Sequence, residues 1–599
     1  MHAGGFQDKL RQRMSEPGGK HDERAHTHSQ AFWFWFRAWC FRLARLATEF
    51  FKRSPRLRRD SAGNFSATLA RSVSSLYAEG ASPTERLWQI GKVENLRAAL
   101  RGIDGVVVPA GATFSFWRQV GPPWRTRGFV VGRELREGCL IANVGGGLCQ
   151  LSNALYDCAL KSGVEIVERH RHTQVIAGSL AEINRDATIF WNYVDLRFRA
   201  PFPFRIHARL DNERLHVSFH AAAPHSEKNG ATPAIPSNAS TMENCATCGI
   251  DSCLRHVGPG ADGAEETAVL VDEFQPEFDE WLAGLRDTAH LLVPMRHSRW
   301  HRASYAWNDR GWRSVRDVPL ASLVRAGQSR RLSAQGAARQ RALLAHDQKL
   351  AAAFATRAPW RCSRAIVAQN LLPHLHASGW TGGRAVTVFL FRWPIRLLQQ
   401  RLDEAASRHP QSPTLADFRA DPALADAEWT ALEQAESLVT CHARLAEIWP
   451  EKTMLLPWKL PHARSMQAAD APLVVFPASG LARKGAIELR DAMRAVGLPL
   501  RIVGARQLEK DENFWHGVTL SPAAPHWLDG ASVVVLPAWI EHRPRRLFEA
   551  IAAGVPVIAT DACGLHDWPA GARVAIVPCG DREALIREIE NAIAVAAPQ

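Results

Sequence analysis

Apolar runs are short throughout this chain, and none approaches the roughly twenty residues that a membrane-crossing helix needs. Residues 1–30 are polar and His-rich and lack the apolar core of a secretory leader, so the expected location is cytoplasmic with thiols reduced. Cysteine is sparse, 11 in 599 residues, which excludes a disulfide-built scaffold. Tyrosine is scarcer still, four against 21 tryptophans; indole faces stack on sugar rings but more often fill cores. Acidic residues are outnumbered, 60 against 73 Lys and Arg, for a net charge of +13. That excess favours anionic partners such as nucleotides, acidic lipids or nucleic acid, and selects none of them. The rest, 46% hydrophobic and 22% charged, is an ordinary globular composition without internal repeats; a chain this long divides into about two to four domains.

One segment qualifies the cytoplasmic expectation. In residues 31–60, AFWFWFRAWCFRLARLATEFFKRSPRLRRD, a helical wheel puts Arg37, Arg42, Arg45, Glu49, Lys52 and Arg53 on one side. Most Phe, Trp and Leu fall on the other, with Phe34, Trp35 and Phe41 at the polar edge. Such a helix lies in a membrane interface with its cations toward anionic headgroups, here through residues 31–53. Docked on the protein's own surface it would read the same. The expected organisation is a polar N-terminus and basic helix over 1–60, a mixed unit over 87–220 and a linker over 221–244. A cysteine cluster over 245–256 and two halves, 265–465 and 466–599, follow.

The C-terminal part alternates cleanly. PLVVFPAS, LPLRIVGA, ASVVVLPAW, VPVIAT and ARVAIVP read as buried strands; GAIELRDAMRAVG, RLFEAIAAG and DREALIREIENAIAVA read as amphipathic helices. Continuous apolar strands of this kind build a parallel sheet covered on both faces, which binds ligands beyond its strand C-terminal ends. Two features sit there. Arg483 and Lys484 precede Gly485 and a helix, a cationic turn that suits a pyrophosphate or simply a solvated loop. Glu541 lies in a loop and Glu549 on the next helix, where a carboxylate can accept the two hydroxyls of a ribose. The bland alternative is a pair of surface carboxylates neutralised by Arg543, Arg545 and Arg546.

Together, Arg483-Lys484-Gly485 and EHRPRRLFEAIAAGVPVIA resemble the donor half of the retaining GT-B glycosyltransferases, group 1 of the glycogen-synthase-like clan. The resemblance implies two Rossmann-like halves preceded by a mixed α+β domain, a multidomain α/β protein. It implies that Arg483 and Lys484 hold the diphosphate of a nucleotide-sugar, that Glu541 meets the sugar hydroxyls and that Glu549 meets the ribose. Transfer would then proceed with retention and no obligatory metal, cations standing opposite the leaving diphosphate. Where the family reads Glu-Gly-Phe-Gly, this chain has Glu541-His542-Arg543-Pro544, which leaves the donor's identity open. Gly382, Gly383 and His442 are the candidates from the acceptor half.

In NVGGGLCQLSNALYDCALKSG, Leu148, Leu151, Leu155 and Cys158 or Ala159 form a helical apolar stripe. Cys149 falls off that stripe, in the first turn, where a helix N-terminus acidifies a thiol, although the pattern alone favours a small residue that merely fills space. His170 and His172 are expected on one face of a strand, with Asp186 further on. Residues 110–220, with their GGG-x-CQ-x-S, H-T and D-A-T elements, resemble the VanW family, some of whose members look like cysteine L,D-transpeptidases of the cell wall. On that resemblance Cys149 is a nucleophile, His172 its base and Asp186 the residue orienting the histidine. A VanW-like domain that only binds is the equal alternative.

Cys245, Cys248 and Cys253 cluster in NCATCGIDSC, and a C-x2-C turn aims two sulfurs at one metal. His256 is close enough to be a fourth ligand, giving a structural zinc site, with an iron–sulfur cluster or free thiols as alternatives. The whole reads as a glycosyltransferase using a nucleotide-sugar of unknown identity and a cell-envelope glycan or glycolipid acceptor, not nucleic acid. A non-catalytic membrane-surface protein of envelope biosynthesis or glycopeptide resistance is the rival reading.

Overall fold

The computed structural model describes residues 56–60, 63–78, 83–136, 139–171, 183–191, 194–223, 265–332, 336–462, 471–506 and 511–596, with positions 36, 40, 180, 466, 467 and 509. Expected ligands Cys245, Cys248, Cys253 and His256, and the expected base His172, lie outside the described residues. So does most of the basic aromatic segment, in which Phe36 and Cys40 are helical and exposed. Among the described residues no helix is long and apolar enough to cross a membrane. The chain divides into two compact units, the second beginning at Ala264 and including Arg209–Arg214.

The first unit is built on small sheets. Strands β1 (Ala67–Ser75), β2 (Val106–Val108), β8 (Phe204–Leu210) and β9 (Arg214–Ala221) form one sheet in the order β1-β9-β8-β2. Strands β3 (Thr113–Ser115), β6 (Glu165–Glu168) and β7 (Arg197–Arg199) form a second, and β4 (Val131–Arg136) pairs with β5 (Cys139–Val144) as an antiparallel ribbon. Alternate residues of β9 are buried, as period-two geometry requires of a strand with one covered face. Its Phe219 meets Phe204 at 5.0 Å and Phe198 at 5.5 Å, and Phe198 stacks on Phe114 at 4.6 Å. The compact unit also takes in residues ahead of position 87. β1 and the helix Pro83–Ile103 both belong to it, and β1 was overlooked because ATLARSVSS carries too few apolar residues to mark a strand.

The second unit holds two all-parallel sheets. The first has strands β10 (Glu266–Leu270), β11 (Ala289–Val293), β12 (Ser314–Asp317), β13 (Cys362–Ala368), β14 (Ala385–Phe389), β15 (Ser437–Thr440) and β16 (Thr453–Leu455), ordered β12-β11-β10-β13-β14-β15-β16. The second has β17 (Val474–Phe476), β18 (Leu500–Ile502), β19 (Val533–Leu536), β20 (Val557–Thr560) and β21 (Val574–Val577), ordered β18-β17-β19-β20-β21. Every residue of β11, β17, β18, β19 and β20 is buried, the outcome expected of apolar runs covered by helices on both sides. Strand order reverses between β10 and β13 in the first sheet and between β17 and β19 in the second, so ligand crevices open at those two strand ends. Two Rossmann-like halves after a mixed domain are the GT-B arrangement that the residues resembled.

Candidate functional site

At the reversal of the second sheet, two loops are stitched together. After β17 the chain makes a turn, Ala482–Lys484, closed by Gly485 at φ 79°. A Cβ on Gly485 would stand 2.0 Å from the Pro537 carbonyl oxygen, so only glycine lets this turn approach the loop after β19. Trp539 and Ile540 donate their backbone N–H groups to the Arg483 carbonyl at 3.1 and 3.2 Å. Lys484 Nζ then reaches Glu541 Oε2 at 2.7 Å and the Ile540 carbonyl at 3.2 Å. Glu541 Oε1 accepts the backbone N–H groups of His542 and Arg543 at 2.8 and 2.9 Å. Burial alone would raise this carboxyl, but Lys484 and those N–H donors outweigh it and hold it at about 2. Glu541 is therefore a fixed, charged carboxylate.

His442 supports the same loop. It follows β15, is buried, and donates Nε2–H to the carbonyls of Glu541 (3.2 Å) and Ala562 (3.1 Å). Burial lowers its pKa to about 4, so the ring is neutral, and Nδ1 has no hydrogen-bond partner among the described residues. Gly564 packs against that edge, where a Cβ would stand 2.1 Å from Nδ1. The other acceptor-half candidates differ. Gly382 and Gly383 lie just before β14, at the N-terminal edge of the sheet and away from its ligand-binding ends. The glycines there close the turn that precedes the strand.

Arg483 and Lys484 diverge. The Arg483 guanidinium stacks 4.4 Å from the Phe418 ring, and burial lowers its pKa. Glu549 is half-buried on the helix Arg545–Ala552 and accepts a hydrogen bond from Trp527 Nε1 at 3.0 Å. The guanidinium groups of the three arginines expected to neutralise Glu541 and Glu549 have other partners. Arg545 forks onto Glu277 (2.6 and 2.6 Å), Arg543 meets Glu273 at 3.2 Å, and Arg546 donates to the Pro477 carbonyl at 2.5 Å. An open cavity of about 670 Å³ lies beside this site, lined by Trp393, Arg401, Glu404, Trp539, Asp561 and Cys579.

A cluster at the other reversal was not foreseen. Asp272, just beyond β10, accepts from Arg325 (2.8 and 2.9 Å) and from Asn370 Nδ2 (2.9 Å), and Asn370 also donates to Asp347 at 2.9 Å. Burial and the neighbouring Asp272 charge push Asp347 up to about 7. These residues are spread over about a hundred positions, so no local spacing could announce them.

In the first unit the glycine run positions Cys149. Gly145 and Gly147 have φ of 81° and 93°, and a Cβ on Gly146 would meet the Gly132 carbonyl oxygen at 2.5 Å. Asn95, buried on the helix Pro83–Ile103, donates to the Gly146 and Val130 carbonyls at 2.9 and 3.0 Å. The helix Cys149–Lys161 starts one residue after the run, with Leu148 at its N-cap, and the stripe read from the sequence, Leu148, Leu151, Leu155, Cys158 and Ala159, is buried. Its other motif residues have structural tasks. Gln150 ties to Ser74 (2.9 Å) and to the Ser75 carbonyl (2.8 Å), and Ser152 ties to the Ala187 carbonyl (2.5 Å). Cys149 is partly exposed and makes no side-chain hydrogen bond among the described residues. Asp186 is buried and receives Arg169 at 2.7 Å. His170 lies beyond β6 rather than within a strand, 3.5 Å from Glu168.

Residues 471–594 match the family model described as Glycosyl transferases group 1, and residues 91–220 match that of VanW like protein. The chain is 30% identical over 145 residues to uncharacterized protein YoaR of Bacillus subtilis, covering 24% of this chain and 47% of that one. It is 31% identical over 139 residues to the vancomycin B-type resistance protein VanW of Enterococcus faecalis, covering 22% and 50%. It thus spans about half the length of the curated relatives it matches. Among solved structures it is similar to a sucrose-phosphate synthase from Thermosynechococcus elongatus, at 17% identity and TM-score 0.36 over 56% of this chain and 90% of that one. It is also similar to Anabaena HepE in complex with UDP, at 12% identity and TM-score 0.32 over 55% and 90%. The chain therefore carries a VanW domain over residues 91–220 and a group 1 glycosyltransferase domain over residues 471–594.

Proposed function

We propose that this protein transfers a sugar, with retention, from a nucleotide-sugar to a glycan or glycolipid of the cell envelope. The observation that carries the reading is the Lys484–Glu541 pair at the strand-order reversal of the second sheet. An ammonium has three N–H donors, and Lys484 spends two of them on Glu541 and Ile540. The third is left for a phosphate oxygen, where it would stabilise charge developing on the departing diphosphate. Glu541, kept ionised by its partners, accepts sugar hydroxyls, and Glu549 exchanges its Trp527 contact for the ribose diol. Arg483 completes the phosphate site by leaving Phe418. The halves over 265–465 and 466–599 then take acceptor and donor, with indole faces and paired charges in the neighbouring cavity suited to sugar rings.

The VanW domain, over residues 87–220 with β1 added, acts on or binds an envelope precursor, Cys149 being the nucleophile if it acts. The name of the Enterococcus relative, a vancomycin resistance protein, supports an envelope setting. Cys245, Cys248, Cys253 and His256 hold zinc or an iron–sulfur cluster, and residues 31–53 lie on an anionic membrane surface. Incubation with a panel of UDP-, GDP- and ADP-sugars tests the reaction through nucleotide release. One donor should turn over in the wild-type protein and lose at least tenfold in rate in Lys484→Ala. Absence of release from every donor, with and without membrane glycolipid extract, would favour a binding protein.

A further inference from the structure

The N-terminal edge of the seven-stranded sheet carries a row of residues that the donor site does not use. Strand register aligns His290 with Ser314 on one side and with Ala268 on the other, and aligns Glu266 with Cys362. Glu266 and Ala268 are two apart on β10 and so share a face. Ser314, His290 and Glu266 therefore line one face of β12, β11 and β10, and a register shift between the Glu266–Cys362 and Thr267–Arg364 pairs brings Cys362 of β13 beside them. Their side chains meet. His290 Nε2 is 3.1 Å from Glu266 Oε2, and its Nδ1 is 2.7 Å from Ser314 Oγ. The ligating atoms of Glu266, His290 and Cys362 lie within 4.8 Å of one another, and all three residues are buried.

We propose that Glu266, His290 and Cys362 bind a zinc ion at this edge, with Ser314 orienting the histidine. One nitrogen, one sulfur and one carboxylate oxygen are a donor set that Zn²⁺ accepts and that Mg²⁺ or Ca²⁺ does not favour. Water takes the fourth position. Arg313 Nη2 holds the other carboxylate oxygen of Glu266 at 3.2 Å, which leaves Oε2 toward the histidine and the thiol. Without the ion, Nε2–H donates to Glu266 and Nδ1 accepts the Ser314 hydroxyl. On ligation the ring proton moves to Nδ1 and the Ser314 oxygen accepts it, a dual role open to a hydroxyl. The ion displaces the Cys362 proton to solvent, and the thiolate and carboxylate together balance its two charges. Because ligation releases that proton, binding strengthens as pH rises. The site lies at the strand ends opposite the ligand crevices, so the ion pins three segments of the fold rather than serving the reaction.

Cobalt is the probe. Full-length protein with Cys245, Cys248 and Cys253 all replaced by Ser, freed of metal and titrated with Co²⁺, should bind one equivalent. It should then show a thiolate-to-cobalt charge-transfer absorption that Zn²⁺ abolishes. Adding Cys362→Ser should remove the absorption with circular dichroism unchanged, and Glu266→Gln should keep the absorption but weaken cobalt affinity. A triple variant without the absorption, or an absorption that survives Cys362→Ser, overturns the proposal.

Discussion

Cys149 and Cys158 share one helix and differ in what governs thiol chemistry. Cys158 is buried on the apolar stripe, donates to the Val217 carbonyl at 3.4 Å, and burial pushes its thiol up. Cys149 opens the helix, partly exposed, with neighbours Gln150 and Ser152 taken up by structure. Alkylation of the native protein should therefore modify Cys149 and leave Cys158 intact until unfolding. If His172 is its base, His172→Ala should slow modification of Cys149 several-fold while exposed Cys40 reacts at an unchanged rate. Mass spectrometry reads both rates in one sample. A protected Cys149, or equal slowing of both thiols, would assign the VanW domain to binding. The stripe was legible because helical periodicity is local. The ion pair of Asp186 with Arg169 was not, since the two are seventeen residues apart and meet only after folding.

At the level of elements, each apolar run of the last 130 residues became a strand; β17, β19 and β20 are buried throughout, where a segment covered on both faces has no room for polar residues, while the edge strand β21 leaves Ile576 exposed. The polar strand β1 escaped for the converse reason, and Gly382-Gly383 misled because a glycine pair marks a turn at either end of a strand. Gly485 is different, since both its φ and its contact with Pro537 demand glycine. Gly485→Ala forces the Ala482–Lys484 turn away from the loop after β19 and withdraws Lys484 from Glu541. The left-handed strain alone costs about 1–2 kcal/mol. Nucleotide affinity should therefore fall by at least tenfold while most of the thermal transition is retained. Calorimetry and a melting curve on the same preparation check this; unchanged affinity would separate the turn from the donor site.

At the scale of the whole molecule, strand order decides where chemistry is placed. Strand order reverses once in each parallel sheet, and each reversal gathers polar side chains linked by hydrogen bonds: Lys484, Glu541 and His442 at one, Asp272, Arg325, Asn370 and Asp347 at the other. The sequence exposed the first group because Arg483-Lys484-Gly485 and the Glu541–Glu549 spacing are compact signals. It concealed the second, whose members come from separate strands and helices. The account stands on the first reversal being the nucleotide-sugar site. Isothermal titration of the full chain with UDP, GDP and ADP, repeated on Lys484→Ala and Glu549→Ala, measures that directly. One nucleotide should bind the wild-type protein, and each variant should lose about 1.5–3 kcal/mol of binding, the worth of a charge-assisted hydrogen bond. Failure of all three nucleotides to bind, or wild-type affinity retained in both variants, would contradict the donor site at its foundation.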